Sequence, residues 1–146
     1  MKTIDLNVIN RHLEELEEAL TYLESKKNIT EKDIAKNIEL RLAVERALHL
    51  AIQNTIDIGN HIIASLAIHD VETYAEIPQK LAEANIIPKR LSENLVNMAK
   101  FRNLLVHEYV KLESARLVSF IKHNLNDFLE FSQAMSKHLK GSKKKS

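Results

Sequence analysis

Apolar residues recur along this chain at helical spacing, in five segments. Leu6, Ile9, Leu13, Leu16, Leu20 and Leu23 are spaced 3, 4, 3, 4 and 3 apart, one stripe on a first helix. Glu14, Glu15, Glu17 and Glu18 fall mostly off that stripe, and Lys26-Lys27-Asn28 ends it. Thr30 stands three residues before Asp33, an N-cap with an acidic first turn. From Glu31 to about His69 there is no proline and a single glycine, Gly59. This predicts one very long helix, or two with a bend near Gly59. A short helix follows from Tyr74 to Asn85, with Pro78 near its first turns, where proline is tolerated. Ile86-Ile87-Pro88 connects it to a fourth helix that starts around Pro88. The last runs from about Ser114 to Lys140, with Leu117, Phe120 or Ile121, Leu125, Phe128, Phe131 and Met135 as its core face. The fold expected is all-α, an antiparallel up-and-down bundle of four to five helices.

Two polar features interrupt this apolar plan. The second segment is apolar on most sides through Ala47, Leu48, Leu50, Ala51, Ile52, Ile56, Ile58, Ile62 and Ile63, which makes it the central helix. Yet Arg46, His49, Gln53, Asp57 and His61, with Asn60 beside it, are spaced 3, 4, 4 and 4 and share one face. That face either meets solvent or lines a polar cleft, where Asp57 would orient a His or an Arg. In the fourth helix Leu91, Leu95, Met98 and Leu105 share a face, and Arg102 falls in the same register. An Arg in an apolar seam is unfavourable unless it is paired or opens onto a cleft.

Composition agrees with the pattern. The 146 residues fit one domain, expected over residues 1–140, and contain two Gly, two Pro, no Trp and no Cys. Few turn residues and many helix formers favour an all-α chain. Without cysteine there is no disulfide framework or thiolate site, compatible with a reducing cytoplasm. No apolar run approaches a membrane span and the first residues carry no signal pattern, so neither a membrane nor secretion is expected. The net charge of +1 is unevenly spread. Lys137, Lys140, Lys143, Lys144 and Lys145 crowd the end without an acid, so the rest of the chain is net acidic and no basic nucleic-acid-binding body is present. Residues 141–146 are expected to form a basic flexible tail, solvated or in contact with RNA phosphates.

Candidate chemistry concentrates in Arg102-Asn103-Leu104-Leu105-Val106-His107-Glu108-Tyr109. It holds a permanent cation whose planar fork fits phosphate oxygens, and an imidazole that exchanges protons near neutral pH. Residues five apart on an ideal helix lie about 140° apart around its axis, so one straight helix does not aim Arg102 and His107 at one point. A helix that ends or distorts near Val106–Tyr109 removes the conflict, as does a site built from two chains. RNA cleavage through its own 2′-hydroxyl needs a base and an acid, which one His per chain, doubled by symmetry, would supply. The same residues also fit a plain structural role, with Arg as a salt-bridge donor and His near a helix C-terminus. The seven His include no pair three or four apart and no HExxH motif, and no Ser has a nucleophile-elbow setting, so no metal and no cofactor is expected.

These residues resemble the HepT-like branch of the HEPN-domain family. Its mark is Arg, four to six residues, then His, with a Tyr two residues on. Arg102, His107 and Tyr109 match with a four-residue gap, and Asn103 is a frequent companion. Glu45-Arg46-Ala47-Leu48 and Asp57-Ile58-Gly59-Asn60-His61-Ile62-Ile63 resemble the branch's central-helix pattern, and the likeness covers most of Met1 to Leu139. It implies a dimerising helical bundle with Arg102 and His107 beside a cleft between protomers, and Asp57, Asn103, Arg46 and His61 as cleft or positioning residues. It also implies a metal-independent endoribonuclease, the toxin of a type VII-like toxin–antitoxin pair. The partner implied is a minimal nucleotidyltransferase that neutralises the toxin by transferring AMP to Tyr109. Two other functions are compatible with the pattern: a non-catalytic nucleotide- or substrate-binding subunit of a nucleotidyltransferase, and a plain oligomerisation bundle.

Overall fold

The computed structural model describes residues 4–107 and 114–144, with side chains as far as Asn103 in the first stretch and Gly141 in the second. Seven helices are present among them: α1 (Leu6–Glu24), α2 (Glu31–Lys36), α3 (Ile38–Ser65), α4 (Glu76–Glu83), α5 (Lys89–His107), α6 (Ser114–His123) and α7 (Leu125–Lys144). The four long ones form the bundle. Contacts run α1 to α3, α3 to α5, α5 to α7 and α7 back to α1, closing a ring around one core. The three short helices, α2, α4 and α6, pack on its flanks.

The α1 stripe is buried as its spacing predicts: Ile9, Leu16, Leu20 and Leu23 are core, with Leu6 and Leu13 half-covered. Asp5 caps the helix by accepting a hydrogen bond from the Val8 amide at 3.2 Å. α3 is the central element, touching α1, α2, α4, α5 and α7 and burying Val44, Leu48, Ile52, Ile58 and Ile62 among others.

Two breaks differ from the sequence expectation. The long second segment divides at Asn37, not at Gly59. Asn37 is extended (φ −127°, ψ 102°), and its side-chain oxygen accepts from the Leu40 amide at 3.1 Å, so it stops α2 and caps α3. The Thr30–Asp33 capping box begins α2 as read, with reciprocal bonds of 3.1 and 3.0 Å. The last segment also divides, at Asn124, whose Nδ2 donates to Asp127 Oδ2 at 3.5 Å. Asn94 of α5 donates to the other oxygen of this buried carboxylate at 3.2 Å, tying the break to the bundle. α7 then carries through Gly141 to Lys144, into the stretch assigned to a tail.

Gly59 has a packing role inside an unbroken α3. A Cβ there would lie 2.7 Å from Ile77 Cγ2 and 3.3 Å from Leu81 Cδ1, both buried side chains of α4. The missing side chain therefore lets α4 sit directly on α3. α3 ends in a left-handed turn at Ala67 (φ 59°), with the Ile68 amide donating to the Ile63 carbonyl at 3.3 Å. α4 ends the same way at Asn85 (φ 62°), where Ile86 donates to Leu81 at 3.0 Å. No helix among the described residues is long and apolar enough to cross a membrane.

Candidate functional site

The α3–α5 packing brings the polar stripe of one helix to the polar end of the other. Leu91, Leu95 and Met98 of α5 are buried, and one turn further along the same register Arg102 emerges at the edge of the core, half-buried. Its Nε donates to Gln53 Oε1 of α3 at 2.9 Å, and one terminal nitrogen donates to Asn103 Oδ1 at 3.3 Å. The guanidinium carbon lies 5.0 Å from the centre of the Tyr74 ring, a cation–π contact with the α3–α4 connection. These contacts explain how a cation is tolerated beside an apolar seam.

Gln53 is itself oriented. Its Nε2 donates to Asp57 Oδ1 at 3.0 Å, one turn along α3. An amide has one accepting and one donating end, so the carboxylate fixes the flip that turns Oε1 towards Arg102. The result is a chain from Asp57 through Gln53 to Arg102, in which each bond polarises the next. Gln53 lay on the stripe in sequence, but nothing in its spacing singled it out from its neighbours.

The rest of the stripe divides into two groups. Arg46, exposed, lies with a terminal nitrogen 3.0 Å from His49 Nδ1. His49 is held below the ordinary imidazole value of 6.5, first because partial burial disfavours its charged form, then because Arg46 and Arg102 repel a further cation. Folding thus lowers the proton affinity of His49. Its contribution to stability is complete above pH 6.5 and is lost as pH falls through 6.5 towards the lower folded value, because the unfolded chain takes up the proton first. An NMR titration of the His49 ring should give a midpoint below 6.5. Arg46→Gln should raise the midpoint without restoring it fully, since burial, the larger cause, remains. A wild-type midpoint at or above 6.5 would contradict the arrangement.

His61, at the far end of the stripe, belongs to the second group. It is exposed and its ring lies 5.8 Å from that of His12 on α1, tilted by 37°. His12 Nδ1 is 2.7 Å from Asn54 Oδ1, and Asn54 donates back to the Leu50 carbonyl at 2.8 Å. His12 carried no signal in the sequence beyond being one of seven histidines. Of the expected site residues, the fold therefore joins Arg102 and Asn103 to Asp57 through Gln53, sets Arg46 close by through His49, and pairs His61 with α1. α5 is described as uninterrupted helix through His107. The His107 side chain and all of Tyr109 lie outside the described residues.

The wall that carries Tyr74 is well anchored. Glu76, in the first turn of α4, accepts from the backbone amides of Glu72 at 2.6 Å and Thr73 at 3.1 Å. Those two bonds hold its carboxyl below the usual range. Among the described residues, no three His, Cys, Asp or Glu side chains are grouped so as to hold a metal ion.

Comparison with known proteins places the chain among relatives. The sequence profile of the family described as Ribonuclease HepT-like matches residues 7–135. The chain is 27% identical over 139 residues to a tRNA nuclease HepT of Aphanizomenon flos-aquae, covering 95% of each chain. Its fold is similar to that of YutE from Bacillus subtilis, described as a cytosolic protein of unknown function. The TM-score is 0.84 at 23% identity, over 97% of this chain and 95% of that one. It is likewise similar to a tri-AMPylated Shewanella oneidensis HEPN toxin solved in complex with an MNT antitoxin. Here the TM-score is 0.80 at 24% identity, over 94% of this chain and 99% of the other.

Proposed function

The chain belongs to the HepT-like ribonuclease family, and from that premise we propose that it is a metal-independent endoribonuclease, the toxin of a toxin–antitoxin pair. The observation that carries the reading is the bond from Arg102 to Gln53. It ties the motif arginine to the polar stripe of α3 and so joins two sequence features in one polar cluster. Arg102 binds the phosphate to be cut, its Nε held by Gln53, a terminal nitrogen by Asn103 and its face by Tyr74. A cation held in place before the reaction stabilises the charge that builds on the phosphoryl oxygens without reorganising.

His107 handles protons. It takes the proton from the RNA 2′-hydroxyl, whose oxygen attacks the adjacent phosphorus, while the leaving 5′-oxygen accepts a proton from a second imidazole. The products are a 2′,3′-cyclic phosphate and a free 5′-hydroxyl. α5 is helical through His107, and backbone positions 102 and 107 of an ideal helix lie about 140° apart around its axis. That supports a site completed by a second copy of the chain, with each protomer lending its His107 to a shared cleft. Asp57 and Gln53 position Arg102. Arg46 adds positive charge at the rim, and His61 with His12 forms a secondary wall.

Tyr109 is the regulatory acceptor. The partner is a minimal nucleotidyltransferase, in keeping with the MNT antitoxin bound to the AMPylated structural relative. The Tyr109 oxygen attacks the α-phosphorus of ATP, pyrophosphate leaves, and the new phosphodiester puts charge and bulk where RNA phosphate must lie. The location is cytoplasmic, as the description of YutE suggests for that relative. The test is to incubate the purified protein with its genomic-neighbour nucleotidyltransferase and ATP. RNA cleavage, active in EDTA beforehand, should be lost as Tyr109 gains AMP by peptide mass spectrometry. Tyr109→Phe should stay active after the same treatment. Full activity of a quantitatively AMPylated protein, or inactivation of Tyr109→Phe by AMP transfer, would refute the assignment.

A further inference from the structure

Aromatic side chains are scarce in this protein, with four Phe, three Tyr and no Trp. Nearly all those described are committed to packing. Phe101, Phe120, Phe128 and Phe131 are buried, three of them in a chain of ring contacts from 5.0 to 6.1 Å, and Tyr22 is half-buried. Among the described residues, Tyr74 is the only phenyl or phenol ring that is exposed, at 46%, and it is the one beside Arg102. It does not sit on a loose end. The Glu76 carboxylate grips the two amides just before it, and the Ile77 amide donates to the Tyr74 carbonyl at 3.2 Å. A ring left open to water therefore lies 5.0 Å from the Arg102 guanidinium, on a backbone that Glu76 and Ile77 tie down.

Single-stranded RNA offers two things to a protein, a phosphate backbone and unstacked bases with apolar faces. Where a cation takes the phosphate, a rigid exposed ring next to it takes the neighbouring base. We propose that Tyr74 is a base-stacking platform: the nucleobase next to the phosphate held by Arg102 stacks on its exposed surface, so that the site selects unpaired RNA. This rests on the ribonuclease reading above and adds a binding residue from outside the Arg–His motif. Base pairs in a duplex are already stacked and present no free face, so double-stranded RNA is a poor substrate.

The experiment uses the whole purified protein and 2′-O-methyl oligoadenylate, which cannot be cut because its attacking hydroxyl is capped. A second oligonucleotide has the same length and charge but lacks the bases. Binding is read by fluorescence anisotropy over a range of salt. Wild type should bind the base-bearing strand more tightly. Tyr74→Ala should weaken that strand roughly 5- to 100-fold, leave the abasic strand and the salt slope unchanged, and Tyr74→Phe should restore wild-type binding. Equal weakening of both strands with a shallower salt slope would show that Tyr74 only buttresses Arg102, and would overturn the proposal. No weakening, or no wild-type preference for the base-bearing strand, would overturn it too. Failure of the ribonuclease reading is seen separately, as absence of cleavage of unmodified RNA by wild type.

Discussion

Arg102→Lys is expected to slow RNA cleavage by about 100- to 1,000-fold while leaving the fold intact. The charge is conserved in this exchange, so a large loss isolates geometry. In the wild type, Arg102 uses Nε for Gln53 and a terminal nitrogen for Asn103 while its flat face lies against Tyr74. A lysine ammonium is a compact, strongly hydrated point charge that cannot present two in-plane edges and a stacking face together. Gln53 Oε1 would lose its partner and Asp57 would orient an amide that holds nothing. The ground-state phosphate still feels a positive charge, so KM should change less than kcat. Single-turnover cleavage of a labelled RNA, with circular dichroism to verify the helices, measures this directly. A lysine variant within threefold of wild type would mean that the Gln53–Asp57 chain has no part in the reaction.

What the sequence made legible follows the range of the forces involved. Helix faces depend on local spacing, and the α1 stripe, the apolar centre of α3 and the start of α5 after Pro88 all appear as the pattern predicts. The breaks at Asn37 and Asn124 were hidden because apolar periodicity runs across both. At Asn37 the divider is a side-chain oxygen that accepts from the Leu40 amide three positions on, a competition between cap and helix that periodicity does not register, whereas the Asn124 side chain donates to the Asp127 carboxylate. Gly59 looked like a flexible point in sequence, yet the requirement it meets is close approach by Ile77 and Leu81, residues whose arrival depends on tertiary packing.

The site was legible in its parts and not in its joints. Arg102, Asn103 and the Arg46–His61 stripe could be picked out by type and spacing. That Gln53 is the member reaching Arg102, with Asp57 behind it, depends on the register between α3 and α5, residues 49 positions apart in the chain. Register of that kind is set by how the core side chains interlock. Tyr74 was missed for a different reason: the sequence reads it as the start of a short helix, whereas it lies in the connection before α4, and its exposure has meaning only beside Arg102. His61 shared the stripe's spacing, yet the approach of α1 sets it against His12.

His107→Ala carries the other large expected effect, about 1,000-fold or more on cleavage, because an alanine can neither take the 2′-hydroxyl proton nor return one to the 5′-oxygen. Arg102 would still hold the phosphate, so RNA binding should survive where cleavage does not. If two chains share one cleft that needs both imidazoles, mixing a large excess of His107→Ala protein with wild type should depress cleavage below that of the same amount of wild type alone, since a mixed dimer keeps only one of the two. The most direct measurement is the cleavage rate of a labelled single-stranded RNA in EDTA by wild-type and His107→Ala protein side by side, with matching melting curves. The expected result is wild-type cleavage insensitive to EDTA, ending in a 2′,3′-cyclic phosphate, and a His107→Ala rate at least about 1,000-fold lower. Wild-type activity abolished by EDTA, or a folded His107→Ala protein cutting RNA at the wild-type rate, would contradict the mechanism.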